Sequence, residues 1–167
     1  IPWSILRSGC EIIFATPDGV RASVDERMLT GEGFGLLSSI IKANKEAQTC
    51  FKRLTDTDNF HHPLSYEDAS EVDFDGILLP GGHAPGIKEY LESSTLQKLI
   101  SRHMKKEKPM AAICHAVLLL ARAKDTNGQS VIYNKHTTCL PKFNEILSHE
   151  LTKKRLGNYF RTYPDTT

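Results

Sequence analysis

Two short apolar segments, each followed by a turn, constrain the fold of this chain more than any other feature. Residues 73–79 read D-F-D-G-I-L-L and run into P-G-G at 80–82, and residues 109–113 read P-M-A-A-I and run into Cys114. Short apolar runs bounded by turn residues are typical of buried strands, and the Ala/Leu-rich residues 116–123 favour helix. The pattern predicts a strand–turn–helix unit with Cys114 at its junction.

Strands and helices are predicted to alternate along the rest of the chain. This alternation favours an α/β fold, a doubly wound and mostly parallel sheet with helices on both faces. The remaining segments predict a loop at 20–37 and a polar surface stretch at 55–72. The predicted strands are 11–16, 73–79, 109–113, 130–133 and 137–140, and the predicted helices are 38–54, 94–108, 116–123 and 143–151.

Length and composition predict one domain and exclude some partners. The chain has 167 residues and a formal net charge of +1, so it has no basic field for nucleic acid. No apolar run reaches the roughly 20 residues that span a bilayer. The cysteines form no C-x-x-C pair, which favours a reducing, cytoplasmic location. They are Cys10, Cys50, Cys114 and Cys139.

The two turns are also the predicted site. In doubly wound sheets ligands bind at the carboxyl ends of the strands, and a cysteine at the start of a helix is favoured as thiolate. Cys114 is therefore a candidate nucleophile, His115 a candidate base, and the amides of Gly82 and His115 candidate oxyanion donors. The structural alternatives are a buried core cysteine, a hydrogen-bonding histidine and a tight glycine turn.

These residues carry a family resemblance. The motif A-A-I-C-H-A at 111–116, preceded by D-F-D-G-I-L-L-P-G-G-H-A-P-G at 73–86, resembles the ThiJ/PfpI superfamily. Its fold is similar to class I glutamine amidotransferases, and the second motif looks most like the branch of heat-inducible chaperones and glyoxalase III-type enzymes. The resemblance, which extends from Cys10 to Tyr163, implies a catalytic role for Cys114 and His115, with Gly82 and His115 as oxyanion donors.

The resemblance also implies a third catalytic residue and a longer native chain. Residues 139–145, C-L-P-K-F-N-E, resemble the segment that supplies a carboxylate, so Glu145 is the candidate for orienting His115; alternatively it is an ordinary first-turn helix residue. A family carboxylate expected beside the cysteine, and the first strand, would precede Ile1. Further strands would follow R-T-Y-P at 161–164.

The motifs and the resemblance are compatible with several functions. The leading prediction is a homodimeric enzyme that needs no cofactor and converts small reactive aldehydes such as methylglyoxal into hydroxy acids. A cysteine peptidase or amide hydrolase is one alternative, and a non-enzymatic stress chaperone or redox sensor is another. No metal site is predicted, although His61, His62 and His83 are an alternative to consider.

Overall fold

The computed structural model describes residues 2–84, 86–138 and 141–166. They group into two compact units, Ile1–Ala69 and Ser70–Thr167. The strands are β1 (Ala15–Thr16), β2 (Leu64–Ser65), β3 (Ile77–Leu79) and β4 (Met110–Ala112). The α-helices are α1 (Pro2–Arg7), α2 (Glu26–Thr30), α3 (Ser38–Ile41), α4 (Lys45–Thr55), α5 (Asp58–His61), α6 (Tyr66–Ser70), α7 (Ile87–Glu92), α8 (Ser94–Lys105), α9 (Ala116–Arg122) and α10 (Lys142–Leu156), with 3₁₀ turns at Gly35–Leu37 and Pro164–Thr166.

The first unit contains a parallel strand pair beside an aromatic cluster. β1 pairs with β2, and the ring of Phe60 packs edge-on against Phe14 and Phe51 with centroids 5.2 and 6.4 Å away. The predicted strand at 11–16 is shorter than expected. Its partner strand is only two residues long, because Pro63 before it has no N–H to donate and α6 begins directly after it.

Capping side chains set the helix boundaries in this unit. The predicted helix at 38–54 is two helices, because Asn44 leaves the helical conformation and its side chain accepts a hydrogen bond from the Ala47 amide at 2.8 Å. The predicted loop at 20–37 contains α2, which Asp25 caps at its start and Gly31 ends at a φ of 81°. Predicting this segment as loop was therefore wrong in part.

The second unit contains the two strands that precede the predicted turns. β3 and β4 pair in parallel, with Ile77 opposite Met110 and Leu79 opposite Ala112. The prediction at 73–79 is thus confirmed over its last three residues, and the prediction at 109–113 over its three central residues. α8 buries three apolar residues at helical spacing, Leu96, Leu99 and Ile100, together with His103. Its cap is Ser93, whose hydroxyl accepts from the Leu96 amide at 3.2 Å.

The strand predicted at 130–133 is wrong. The Asp125 carboxylate accepts hydrogen bonds from the amides of Asn127 and Gln129 at 2.8 and 2.9 Å, which stabilises a turn instead. Ser130 forms only an isolated bridge with Lys124, and residues 131–134 are turn. Of the strand predicted at 137–140, residues 137 and 138 are irregular, and Cys139 and Leu140 lie outside the described residues.

Helices combined with parallel strand pairs confirm the predicted α/β class. The helix predicted at 143–151 is longer, since α10 starts directly after Pro141 and continues to Leu156. Among the helices in the described ranges, none combines the length and the apolar character needed to cross a bilayer.

Candidate active site

Cys114 occupies a sharp turn between β4 and α9. The Ile113 amide still donates to the Leu79 carbonyl at 3.0 Å, which extends the strand pairing to the residue before the turn. Cys114 then adopts a φ of 54°, a left-handed conformation that costs a non-glycine residue roughly 1–2 kcal/mol. Its carbonyl accepts from the Val117 amide at 3.2 Å. The turn thus leaves the thiol exposed, between the strand and the helix.

A helix with one buried face anchors this turn. Ala116, Leu119 and the following Ala123 are fully buried, and α9 packs against α7 and α8. The strained φ at Cys114 persists because the strand before it and the helix after it are both fixed. The segment therefore holds the cysteine on a rigid support.

Gly81 brings the other predicted turn against the Cys114 turn. A Cβ at Gly81 would lie 2.3 Å from the Ile113 carbonyl oxygen and 2.7 Å from the Cys114 Cβ, so only glycine fits without displacement. Gly82 follows at a φ of 153°. The two turns are thus neighbours, as predicted, while the oxyanion role of the Gly82 and His115 amides stays a prediction.

His115 contacts both other predicted catalytic residues. Its Nδ1 lies 3.4 Å from the Cys114 Sγ, and its Nε2 lies 3.2 Å from the Glu145 Oε1. The imidazole is well buried and Glu145 is half-buried. An ionised carboxylate only accepts hydrogen bonds, so it favours the proton on Nε2. In that tautomer the Nδ1 lone pair faces the thiol.

His83, considered from the sequence only as an alternative metal ligand with His61 and His62, belongs to the same cluster as His115 and Glu145. Its ring packs edge-on against His115, with centroids 4.4 Å apart. Burial, followed by the charge of His115, lowers the pKa of His83 to about 4, so its ring is neutral at neutral pH. The signal in the sequence was the histidine directly after the glycine pair. His61 and His62, by contrast, are exposed residues of the first unit.

The aromatic C-terminal segment covers His83. Phe160 packs edge-on against the His83 ring at 5.3 Å, and Tyr159 lies 6.2 Å from it. Arg122 fixes the segment to α9, since its Nη1 donates to the Tyr163 hydroxyl at 2.8 Å. This aromatic segment is thus a wall of the site.

The cluster offers two kinds of chemistry. Cys114, His115 and Glu145 are arranged in the order thiol, imidazole and carboxylate, which suits nucleophilic catalysis. His83, His115 and Glu145 each offer a ligand atom, and these three atoms lie within 4.8 Å of one another, which suits a metal ion.

Comparisons with known proteins agree with the sequence motifs. A family model described as ThiJ/PfpI family-like matches residues 1–164. A protein of Schizosaccharomyces pombe, named only as uncharacterized, is 30% identical over 106 residues, which are 62% of this chain and 38% of that protein. "Protein DJ-1 homolog D" of Arabidopsis thaliana is 35% identical over 72 residues, or 42% of this chain and 18% of that protein.

Two further matches are a bacterial stress protein and a solved structure. "General stress protein 18" of Bacillus subtilis is 34% identical over 65 residues, which are 39% of this chain and 37% of that protein. A solved structure titled "Crystallographic structure of APC35852" is 19% identical, with a TM-score of 0.64, and the match covers 96% of this chain and 65% of that one. The structural match shows a shared fold. The three sequence matches each cover less than half of the relative's length.

Proposed function

Because this chain belongs to the ThiJ/PfpI-like family, we propose that it is a thiol enzyme that converts small reactive aldehydes, such as methylglyoxal, into hydroxy acids without a cofactor. The observation that carries the proposal is the contact of His115 with both Cys114 and Glu145, at 3.4 and 3.2 Å. We assign the activity to the glyoxalase III-type branch. Homodimerisation stays a prediction, which sedimentation of the purified chain tests.

The first step is addition of the thiol to the aldehyde. His115 Nδ1 takes the thiol proton while the Cys114 sulfur forms a bond to the aldehyde carbon. The π electrons of the C=O bond move to its oxygen, which the amides of Gly82 and His115 stabilise before it is protonated. Glu145 stabilises the imidazolium that forms for that moment. The product of the step is a hemithioacetal on Cys114.

The second stage moves hydrogen within the substrate. A base removes the proton from the sulfur-bearing carbon, and the neighbouring ketone oxygen is protonated, which gives an enediol. Return of a proton to the former ketone carbon and loss of the hydroxyl proton give a thioester. Water then attacks the thioester carbon, the C–S bond breaks, and the hydroxy acid leaves with the thiol restored. One carbon is oxidised and its neighbour reduced, so the net reaction adds only water.

The exposure of Cys114 supports a small-molecule substrate, since an aldehyde can reach the sulfur from solvent. His115, in contrast, is well buried, so the base is shielded while the nucleophile is accessible. This arrangement suits a reaction in which the substrate reaches the sulfur from solvent, while the proton that His115 accepts is shielded from water.

The test is hydroxy acid production from methylglyoxal by the purified chain, without added cofactor. We expect lactate in the amount of aldehyde consumed, and its loss in Cys114→Ala. Cys10→Ala is the matched control, because Cys10 is also an exposed free thiol but lies in the first unit. A folded wild-type chain that makes no lactate, or a Cys114→Ala variant that makes as much, would overturn the proposal. Amine release from peptides instead of lactate would indicate the amide hydrolase.

A further inference from the structure

We propose that His83, His115 and Glu145 form a zinc-binding site, and that zinc bound there excludes the proton transfer between Cys114 and His115. The binding part stands on the cluster alone, whereas the exclusion rests on the proposed function. The proposed reaction assigns no role to His83. A zinc site would give this residue a role.

The spacing of the three side chains fits a zinc ion. Their ligand atoms all lie within 4.8 Å of one another, and Nε2 of His115 is 3.2 Å from the Glu145 carboxylate. Around a tetrahedral zinc with bonds of about 2.0–2.2 Å, neighbouring ligand atoms lie roughly 3.3 Å apart. The His115–Glu145 pair already has this spacing, and the remaining ligand needs to approach by only about 1.5 Å.

His83 supplies a second, independent observation. Its Nε2 is buried and has no hydrogen-bond partner among the described residues. Buried polar side-chain atoms are nearly always satisfied, so an unpartnered ring nitrogen beside another imidazole and a carboxylate requires an explanation. The ring of this partly buried residue is held between His115 and Phe160, at 4.4 and 5.3 Å. A zinc ion would satisfy this nitrogen.

The donor set indicates the metal class. Two imidazoles and one carboxylate with an open fourth position are the ligands of catalytic-type zinc sites, with water completing the tetrahedron. The Cys114 sulfur lies against Nδ1 of His115, whereas the Glu145 carboxylate lies against Nε2. The ring thus separates the sulfur from the ligand cluster, so the site is a nitrogen and oxygen site without thiolate.

Zinc and the thiol compete through the His115 tautomer. When zinc takes the Nε2 lone pair, the remaining ring proton of a neutral imidazole sits on Nδ1. Nδ1 then donates toward the Cys114 sulfur and cannot accept its proton. Zinc also occupies the Glu145 carboxylate that holds the active tautomer. Bound zinc therefore removes the base from the thiol.

The test is zinc binding to the full chain after treatment with EDTA, measured by equilibrium dialysis in the absence of aldehyde. We expect one zinc per chain, and binding weaker by about tenfold or more in both His83→Phe and Glu145→Gln. His83→Phe keeps an aromatic ring in the packed position, and Glu145→Gln changes a half-buried side chain, so at least one variant should fold. The double variant His61→Ala/His62→Ala is the matched histidine control and should bind as the wild type does.

Cobalt substitution identifies the ligands without using activity. We expect the comparatively strong visible d–d bands of tetrahedral cobalt with no sulfur-to-cobalt charge-transfer band, and an unchanged spectrum in Cys114→Ser. Absence of stoichiometric zinc, wild-type binding in His83→Phe, or a charge-transfer band would each overturn the site. If zinc excludes the proton transfer, one equivalent of zinc should slow the alkylation of Cys114, and EDTA should restore the rate. An alkylation rate at zinc saturation equal to that of the zinc-free chain would overturn the exclusion. Failure of aldehyde turnover leaves these binding results unaffected, so the two proposals fail separately.

Discussion

The carboxylate of Glu145 and the sulfur of Cys114 contact different nitrogens of the same imidazole. Glu145 Oε1 lies 3.2 Å from Nε2 of His115, and Cys114 Sγ lies 3.4 Å from Nδ1. The carboxylate contact favours the proton on Nε2, and in that tautomer the Nδ1 lone pair is directed toward the sulfur. Glu145 lies in α10, and His115 lies in the turn before α9, 30 positions earlier in the sequence (145 − 115).

Replacing the carboxylate by an amide should disable the base. In Glu145→Gln the side-chain NH₂ can donate to Nε2, which favours the proton on Nδ1 and removes the acceptor for the thiol proton. We expect aldehyde turnover to fall roughly 10²-fold or more, and iodoacetamide to react more slowly with Cys114. Glu150→Gln is the control, since Glu150 is exposed on the same helix and pairs with Lys153. Equal effects of the two variants would mean that Glu145 is only a surface residue.

Adding one methyl group at Gly81 should displace the Cys114 turn. In Gly81→Ala the new Cβ meets the Ile113 carbonyl oxygen at 2.3 Å, and this neighbour is backbone. We expect destabilisation of about 1–3 kcal/mol in urea and slower alkylation of Cys114. Gly128→Ala provides the comparison, because Gly128 has a φ of 76° but open space around it. It should lose stability through backbone strain while alkylation stays normal; the same alkylation loss in both variants would rule out the contact as its cause.

The buried His83 should make the protein sensitive to acid. Its pKa is about 4 when folded against 6.5 ordinarily, so below pH 6.5 the unfolded chain binds more protons than the folded one. This contribution to stability is complete above pH 6.5 and is lost as the pH falls toward 4. We expect the urea midpoint to decline over that range, and to decline less in His83→Phe. An NMR titration in which the His83 ring protonates near pH 6.5 would contradict the burial effect.

The support of the turn can be tested by truncating one leucine. Leu119 of α9 is fully buried, whereas its neighbour Leu118 is 39% exposed. Leu119→Ala should cost about 2–5 kcal/mol of unfolding free energy, because it leaves a cavity under the turn. Leu118→Ala should cost clearly less, since part of that side chain already contacts water. Similar costs at both positions would contradict the packing described for α9.

The parts of the fold that the sequence predicts are those in which local pattern and packing agree. β3, β4, α8 and α9 follow from apolar runs and spacing. Burial agrees with the pattern at Leu79 in β3, Ile100 in α8 and Leu119 in α9, whereas β4 is fixed by its pairing with β3. The errors lie where a single polar side chain outweighs a short apolar pattern. Asn44 divides a helix, and Asp125 closes a turn where a strand was predicted.

The candidate site was predictable to the extent that motifs mark it. Cys114, His115 and Gly81 lie at the ends of two adjacent strands, so the topology alone brings them together. Glu145 was identified by resemblance, since no local rule links the first turn of α10 to a histidine 30 residues earlier (145 − 115). His83 was considered only together with His61 and His62, and the aromatic wall of Tyr159 and Phe160 was missed, because tertiary packing rather than periodicity brings these residues to the site.

The most direct test of Cys114 as an activated nucleophile is competitive alkylation at limiting iodoacetamide, with each cysteine peptide quantified by mass spectrometry. Cys10 is the internal reference, since it is an exposed free thiol outside the site. We predict that Cys114 reacts faster than Cys10 by about tenfold or more, and that His115→Phe removes the difference. Equal rates for the two thiols in the wild-type chain would contradict the account.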